Sequence, residues 1–343
     1  MYLSGYEPYF GDTMMLLPLE KDVEPLLQTD QADFFPEERT WVKNAIPARD
    51  PLQTVREYLK DPMLRGARIG LVGEYSIRPQ LIERIRKELK GSIVQYASDI
   101  VENERAVKSE YEIECIRKAA NIAEIGFEIA AGFARSGASE AEIIAAIESA
   151  CRIAGTEGFP HHTMVSSGTD ERYLDWWWYC GRRRLRNGDP WNLDFGTMYG
   201  GYCCDISRSF SLGRPSPKHL KAYDVLIDAM ESARNEMRPG VKASEVNEAV
   251  TNVMRKHFDG DFSGIGHGVG LEVHEWPFVG YQYIRNDSNY KDTRLKENSV
   301  ISVEPQVYVP AFGHIQIEDE FVITKSGGKR ISKIPAELII SGR

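Results

Sequence analysis

Two carboxylates flanking a glycine turn at an odd spacing constrain this chain more than any other feature. The segment Trp191-Asn-Leu-Asp-Phe-Gly-Thr-Met-Tyr-Gly-Gly-Tyr-Cys-Cys-Asp-Ile-Ser-Arg208 reads as a β-hairpin turning at residues 199–201. For a two-residue turn at Tyr199-Gly200 or at Gly200-Gly201, residue 194 faces odd-numbered residues across the ladder, so Asp194 and Asp205 project from one side of the sheet. Like charges facing each other destabilise a sheet, and an interior location raises a carboxyl pKa strongly unless a cation sits between the two groups. A metal ion is the simplest relief.

A second pair of acids follows the same parity further on. Val300-Ile-Ser-Val-Glu304 and Ile315-Gln-Ile-Glu318 are alternating segments joined through Pro310-Ala311-Phe312-Gly313. A three-residue or five-residue loop centred on Ala311 sets Glu304 opposite Glu318 and turns Asp319 to the other face. Between the hairpins, Gly264-Ile-Gly-His-Gly-Val-Gly-Leu-Glu-Val-His274 alternates glycines that permit close backbone approach and leave His267 able to reach a site. Four carboxylates and an imidazole make a ligand set.

The first hundred residues mix short apolar runs such as Ile69-Gly-Leu-Val72 with turns and a helical pattern over residues 80–89, which reads as a small α/β domain. Ser109-Glu-Tyr-Glu112 is a capping-box-like start to a long amphipathic helix, and a second helix should open near Ser139. Further helices are expected over residues 218–237 and 244–257, followed by strands to the C-terminus. Helices grouped with hairpins, without strict βα alternation, predict an α+β second domain. The boundaries are 1–106 and 107–343.

Composition narrows the partners. A net charge of -9 argues against nucleic acid, whose backbone demands clustered Lys and Arg. Five cysteines, odd in number and in no C-x-x-C pair, argue against a disulfide framework or structural zinc and fit a reducing compartment. The absence of a long apolar run or a signal-like start predicts a cytoplasmic protein with no membrane partner.

These segments resemble the metallopeptidase family that includes prolidase, aminopeptidase P, methionine aminopeptidase and the metal-free relative creatinase. The family patterns D-F-G…G-Y…D-I-x-R-x-F, G-H-G-x-G-x-x-x-H-E, V-E-P and I-E-D recur in order at residues 194–210, 266–275, 303–305 and 317–319. The resemblance implies a pita-bread catalytic domain behind a creatinase-like N-terminal domain, and a homodimer. It implies two divalent ions, manganese foremost with iron, zinc or cobalt as alternatives, held by Asp194, Asp205, His267, Glu304 and Glu318, with Asp205 and Glu318 bridging. Glu304 is then the proton acceptor and His274 the second catalytic residue. Hydrolysis of an amide bond in a small peptide, as by a Xaa-Pro dipeptidase or aminopeptidase, is the implied activity. The alternatives are a hydrolase or lyase of a small non-peptide metabolite, of the ectoine or creatine kind, and a degenerate binding protein.

Departures from the family pattern touch the pocket. Where proline-cutting members carry a substrate histidine, this chain has Asp175 or Trp176, and Trp176-Trp-Trp-Tyr179 offers a flat wall; both residues are taken as substrate contacts. His161 and His162 sit beside Phe159 in no matched metal pattern and read as turn or pocket-wall residues, His162 on the substrate side. Gln316 replaces an arginine and Gln306 a glycine. These changes predict weak Xaa-Pro cleavage and a better small cyclic or charged amide-like substrate. Met1-Tyr-Leu-Ser-Gly-Tyr resembles a motif that normally follows a helix and a strand, so either the start is misassigned or the small domain has lost its first elements.

Overall fold

The computed structural model describes the chain apart from residues 1, 7–12, 20–22, 30–39, 48–49, 51, 53–54, 56–67, 74–75, 90–91, 170–180, 261–264, 281–291 and 343. It divides into two compact units, Met1–Glu102 and Asn103–Arg343. In the first, β1 (Thr13–Leu16) runs antiparallel to β2 (Leu26–Thr29), and β3 (Asn44–Pro47) parallel to it. Strands β4 (Arg68–Leu71) and β5 (Ile93–Tyr96) are parallel, as a crossover helix between them requires, and α1 (Pro79–Glu88) is that helix. Leu52, Val55, Ile85 and Leu89 form a small core there.

Helix α2 (Ser98–Arg105) precedes α3 (Glu110–Phe133) and α4 (Glu140–Ile153). The last two begin with capping boxes: Ser109 and Ser139 accept from the backbone N–H of Glu112 and Glu142, whose carboxylates accept in return from the serine N–H groups. The second unit is built on a ten-stranded sheet. Its members are β6 (Met164–Ser167), β7 (Pro190–Phe195), β10 (Ile206–Leu212), β11 (Gly266–Gly268), β12 (Glu275–Val279), β13 (Val300–Val303), β14 (Gln306–Val309), β15 (Gly313–Thr324), β16 (Gly327–Arg330) and β17 (Ile339–Ser341). The main path runs β12-β11-β13-β15-β10-β7-β6. Two-stranded β8 (Met198–Tyr199) and β9 (Tyr202–Cys203) carry the hairpin turn, and α5 (Pro217–Glu236) and α6 (Ala243–Met254) follow β10.

The hairpin readings hold in detail. Tyr199 pairs with Tyr202 around Gly200 (φ 60°) and Gly201 (φ 77°), a turn whose left-handed backbone suits glycine at both places. The same register continues into β7 and β10, where Asp194 faces Ser207. Strands β13 and β14 pair with β15 in one uninterrupted register, from Val300 opposite Val322 to Val309 opposite Gly313, so the connecting loop is the three residues 310–312.

Alternation makes this sheet two-faced. On β10 the apolar Ile206, Phe210 and Leu212 join Ile116 and Ile147 of the helices in one core; on β15, Ile315, Ile317, Phe321 and Ile323 join Leu226, Met230 and Val250 in another. Each such side chain contributes roughly 1.5–3 kcal/mol on burial. The opposite face carries Asn192, Asp194, Ser207, Ser209, Ser302, Glu304, Gln316, Glu318 and Glu320, all buried. Asp319 points into the apolar side, where it meets Arg208 at 2.8 Å with both side chains fully enclosed. Among the described residues, Cys115, Cys151, Cys203 and Cys204 are free thiols, and no helix is long and apolar enough to cross a membrane.

Candidate metal centre

Alternation on four strands delivers the carboxylates. Asp194 comes from β7, Asp205 from the residue before β10, Glu304 from the link between β13 and β14, and Glu318 from β15. His267 sits in the middle of β11, between Gly266 and Gly268, where a Cβ would run into the backbone of Ser302 and Trp276 respectively. Its Nε2 lies 3.6 Å from Glu318 Oε1, 3.7 Å from Asp205 Oδ2 and 3.8 Å from Glu304 Oε1. His267, Glu304 and Glu318 form one group of converging ligand atoms, all within 4.8 Å of one another; His161, Asp194 and Asp205 form a second, and Asp205, His267 and His274 a third.

The electrostatics are those of crowded acids. Burial, together with the charges of Glu318 and Asp205, drives the Asp194 carboxyl well above its ordinary range; burial and Glu318 do the same to Asp205. Burial works against the His267 imidazolium, yet Glu318, Glu304 and Asp205 outweigh it and lift the ring to about 9. Burial would also raise Glu318, but contact with His267 and the Ser302 hydroxyl holds it low. Acids held this close resist ionising together, and divalent cations among them relieve the repulsion. The donor set, oxygen-rich with imidazole, fits such ions.

A second layer fixes the acids. Ser302 Oγ donates to Glu318 Oε1 at 2.7 Å, and Gln316 Nε2 donates to Asp194 Oδ2 at 3.1 Å. Gln316 is in turn held by Asn192 and Ser209. The replaced arginine position therefore supports a carboxylate from beneath instead of lining the pocket. Glu320 is also drawn in: its Oε1 accepts from the Asp205 N–H at 2.7 Å. Partners of this kind orient ligands and tune their basicity. Gln316 was legible as a departure, whereas Glu320 was signalled only by its parity with Glu318.

The histidines divide differently from the sequence expectation. His274 lies where the spacing suggests, its ring edge-on to His267 with centroids 4.2 Å apart and Nε2 3.9 Å from Asp205 Oδ2. Burial, then the neighbouring His267, lowers it to about 4, so it is neutral at pH 7. The following residue, Glu275, is anchored by Lys108 Nζ at 2.7 Å and Arg105 at 2.6 Å. His161, read as a turn or wall residue, reaches the acids with Nε2 3.0 Å from Asp205 Oδ1. His162, expected on the substrate side, is exposed, and its carbonyl accepts from His161 Nδ1 at 2.9 Å. Asp175 and Trp176 lie outside the described residues.

The sequence profile of metallopeptidase family M24 matches residues 114–325. The Xaa-Pro dipeptidase of Pyrococcus horikoshii is 33% identical over 268 residues, 78% of this chain and 74% of that protein. The crystal structure of the prolidase from Pyrococcus horikoshii superposes with a TM-score of 0.83 at 30% identity, covering 98% of this chain and 92% of that one. An X-Pro aminopeptidase from Thermotoga maritima gives a TM-score of 0.80 at 28% identity, covering 92% and 86%.

Proposed function

This chain belongs to metallopeptidase family M24, with the pita-bread fold of its prolidase relatives, and from that premise we propose that it is a two-metal hydrolase of small amide substrates, Xaa-Pro dipeptides first among them. The observation that carries the reading is the convergence of His267, Glu304 and Glu318 with Asp194 and Asp205 on a buried polar face. A pure binding surface has no use for acids kept at such electrostatic cost.

In this reading Asp194, Asp205, His267, Glu304 and Glu318 are the residues that would hold the ions. Two divalent ions there supply an acidified water and Lewis acidity toward the scissile carbonyl. Glu304 would be the carboxylate placed to take up the proton released in hydrolysis. His274, its ring edge-on to His267 beside the centre, donates a hydrogen bond to the oxygen on which charge develops. The acids beneath are kept in place by Ser302 and Gln316, and the His274 segment by the Lys108–Glu275 pair.

The test is metal-depleted protein reconstituted separately with manganese, iron, cobalt and zinc, then assayed on Xaa-Pro dipeptides, longer Xaa-Pro peptides and a panel of small amides, lactams and amidines including ectoine. Metal-dependent release of proline from dipeptides is the expected result, because the similarity to Xaa-Pro dipeptidases outweighs the pocket departures that pointed to a small cyclic or charged amide. Efficient turnover confined to a non-peptide compound would replace the substrate class while keeping the chemistry. A fully loaded, folded protein that hydrolyses nothing in the panel overturns the reading.

A further inference from the structure

We infer that His161 is a sixth ligand residue of this centre, supplying the Asp194 side with an imidazole of its own to match His267 on the Glu304 side; the inference rests on the metal-centre reading above. His161 Nδ1 lies 2.9 Å from the His162 carbonyl oxygen. A carbonyl oxygen only accepts, so Nδ1 carries a hydrogen and Nε2 is the ring atom that faces the acids. It lies 3.0 Å from Asp205 Oδ1 and 3.9 Å from Asp194 Oδ1, and the three residues' ligand atoms converge within 4.8 Å of one another. A ring nitrogen this close to carboxylate oxygens calls for a proton or a cation between them.

His267 repeats the design. Its Nδ1 is 3.1 Å from the Gly268 carbonyl oxygen, and its Nε2 faces three carboxylates. Each imidazole is thus fixed by a backbone carbonyl on one side and aimed at acids on the other, the arrangement by which metal-bound histidines are oriented. Ligand atoms sharing one ion at about 2.0–2.2 Å stand roughly 3–4 Å apart, the range found around both rings. Asp205 joins the two groups: Oδ1 faces His161 and Oδ2 faces His267. One nitrogen donor per ion shifts the preference from manganese toward zinc, cobalt or iron.

The experiment compares zinc-loaded protein with its His161→Phe and His161→Gln variants, all in a His274→Ala background so that the His274 ring adds nothing to the count. Calorimetry reads the stepwise zinc affinities, and X-ray absorption reads the number of imidazoles per zinc. The parent should bind two zinc ions with one imidazole each. Both variants should lose about 10–100-fold or more in one affinity step, keep the other, and fall to half an imidazole per zinc. Unchanged affinities and an unchanged imidazole count in a variant would overturn the assignment. Should neither variant fold, the parent decides by itself: two imidazoles per pair of ions support the assignment, one overturns it. A parent that binds no zinc, manganese or cobalt overturns the metal-centre reading beneath it, which separates the two failures.

Discussion

Asp205 and Glu318 carry the heaviest load of any single residues, because each stands between imidazole and carboxylate neighbours from different strands. Asp205→Asn or Glu318→Gln removes a shared charge while keeping the side-chain volume. Elemental analysis of protein prepared without chelators should find about two divalent ions in the parent and fewer in either variant, with turnover abolished; full activity in metal-free parent protein would sink the assignment. His274→Ala should behave differently, losing roughly 10²-fold or more in kcat with metal content nearly unchanged, as for a group acting on the substrate and not on the ions. Loss of one metal equivalent in that variant would make His274 a ligand instead. The acids were legible residue by residue because strand parity is a property of sequence spacing alone. His161 was not, because its position depends on β6 pairing with β7, Met164 opposite Asp194, across a connection whose length says nothing of register. Extending that pairing past Met164 leads the chain toward the Asp205 end of the hairpin, and only the pairing reveals it.

Elements whose ends are written in local chemistry are the most legible in the sequence. Ser109 and Ser139 each place a glutamate three residues on, and both helices begin there. Ser139→Ala should lower stability by about 1 kcal/mol in urea denaturation with the slope unchanged, and no loss at all would remove the cap from the account. Helix α5 holds a second test. His219, buried against Phe312 with ring centroids 4.9 Å apart, is pushed down to about 4 by burial. Its folded pKa lies below the unfolded value near 6.5, so the folded state takes up its proton later than the unfolded one. Its contribution is therefore complete above pH 6.5 and is lost as pH falls from 6.5 toward 4. Urea midpoints measured across that window should fall with acid in the parent and fall less steeply in His219→Phe. Equal slopes would mean that His219 titrates normally in the folded chain. The sequence offered no sign of this histidine's burial, since a lone histidine among Lys218, Leu220 and Lys221 looks solvated; the packing partner comes from the loop before β15, nearly a hundred residues away.

At the scale of the whole molecule, the chain spends a buried polar face on one site and buries its apolar faces in separate cores. Among the described residues the smaller unit has clusters around Leu52 and Ile85 and around Tyr6 and Leu27, and the larger has two, on β10 and on β15. Ions bound as proposed by residues 194–318 would stabilise only states in which β7, β11, β13 and β15 are assembled, because the unfolded chain has no such site. At a free metal concentration about 100 times the dissociation constant, one site adds about 2.7 kcal/mol. For a unit of this size that corresponds to roughly 5–11 °C in midpoint, taking about 2–4 °C per kcal/mol. Hydrogen exchange locates the effect. On adding metal to depleted protein, amides of β7, β10, β13 and β15 should gain protection, while those of β1 to β5 keep the rates they had. Protection rising in the first unit and not in these strands would place the ions elsewhere, and the carboxylates of the polar face would then need another reason to be buried together.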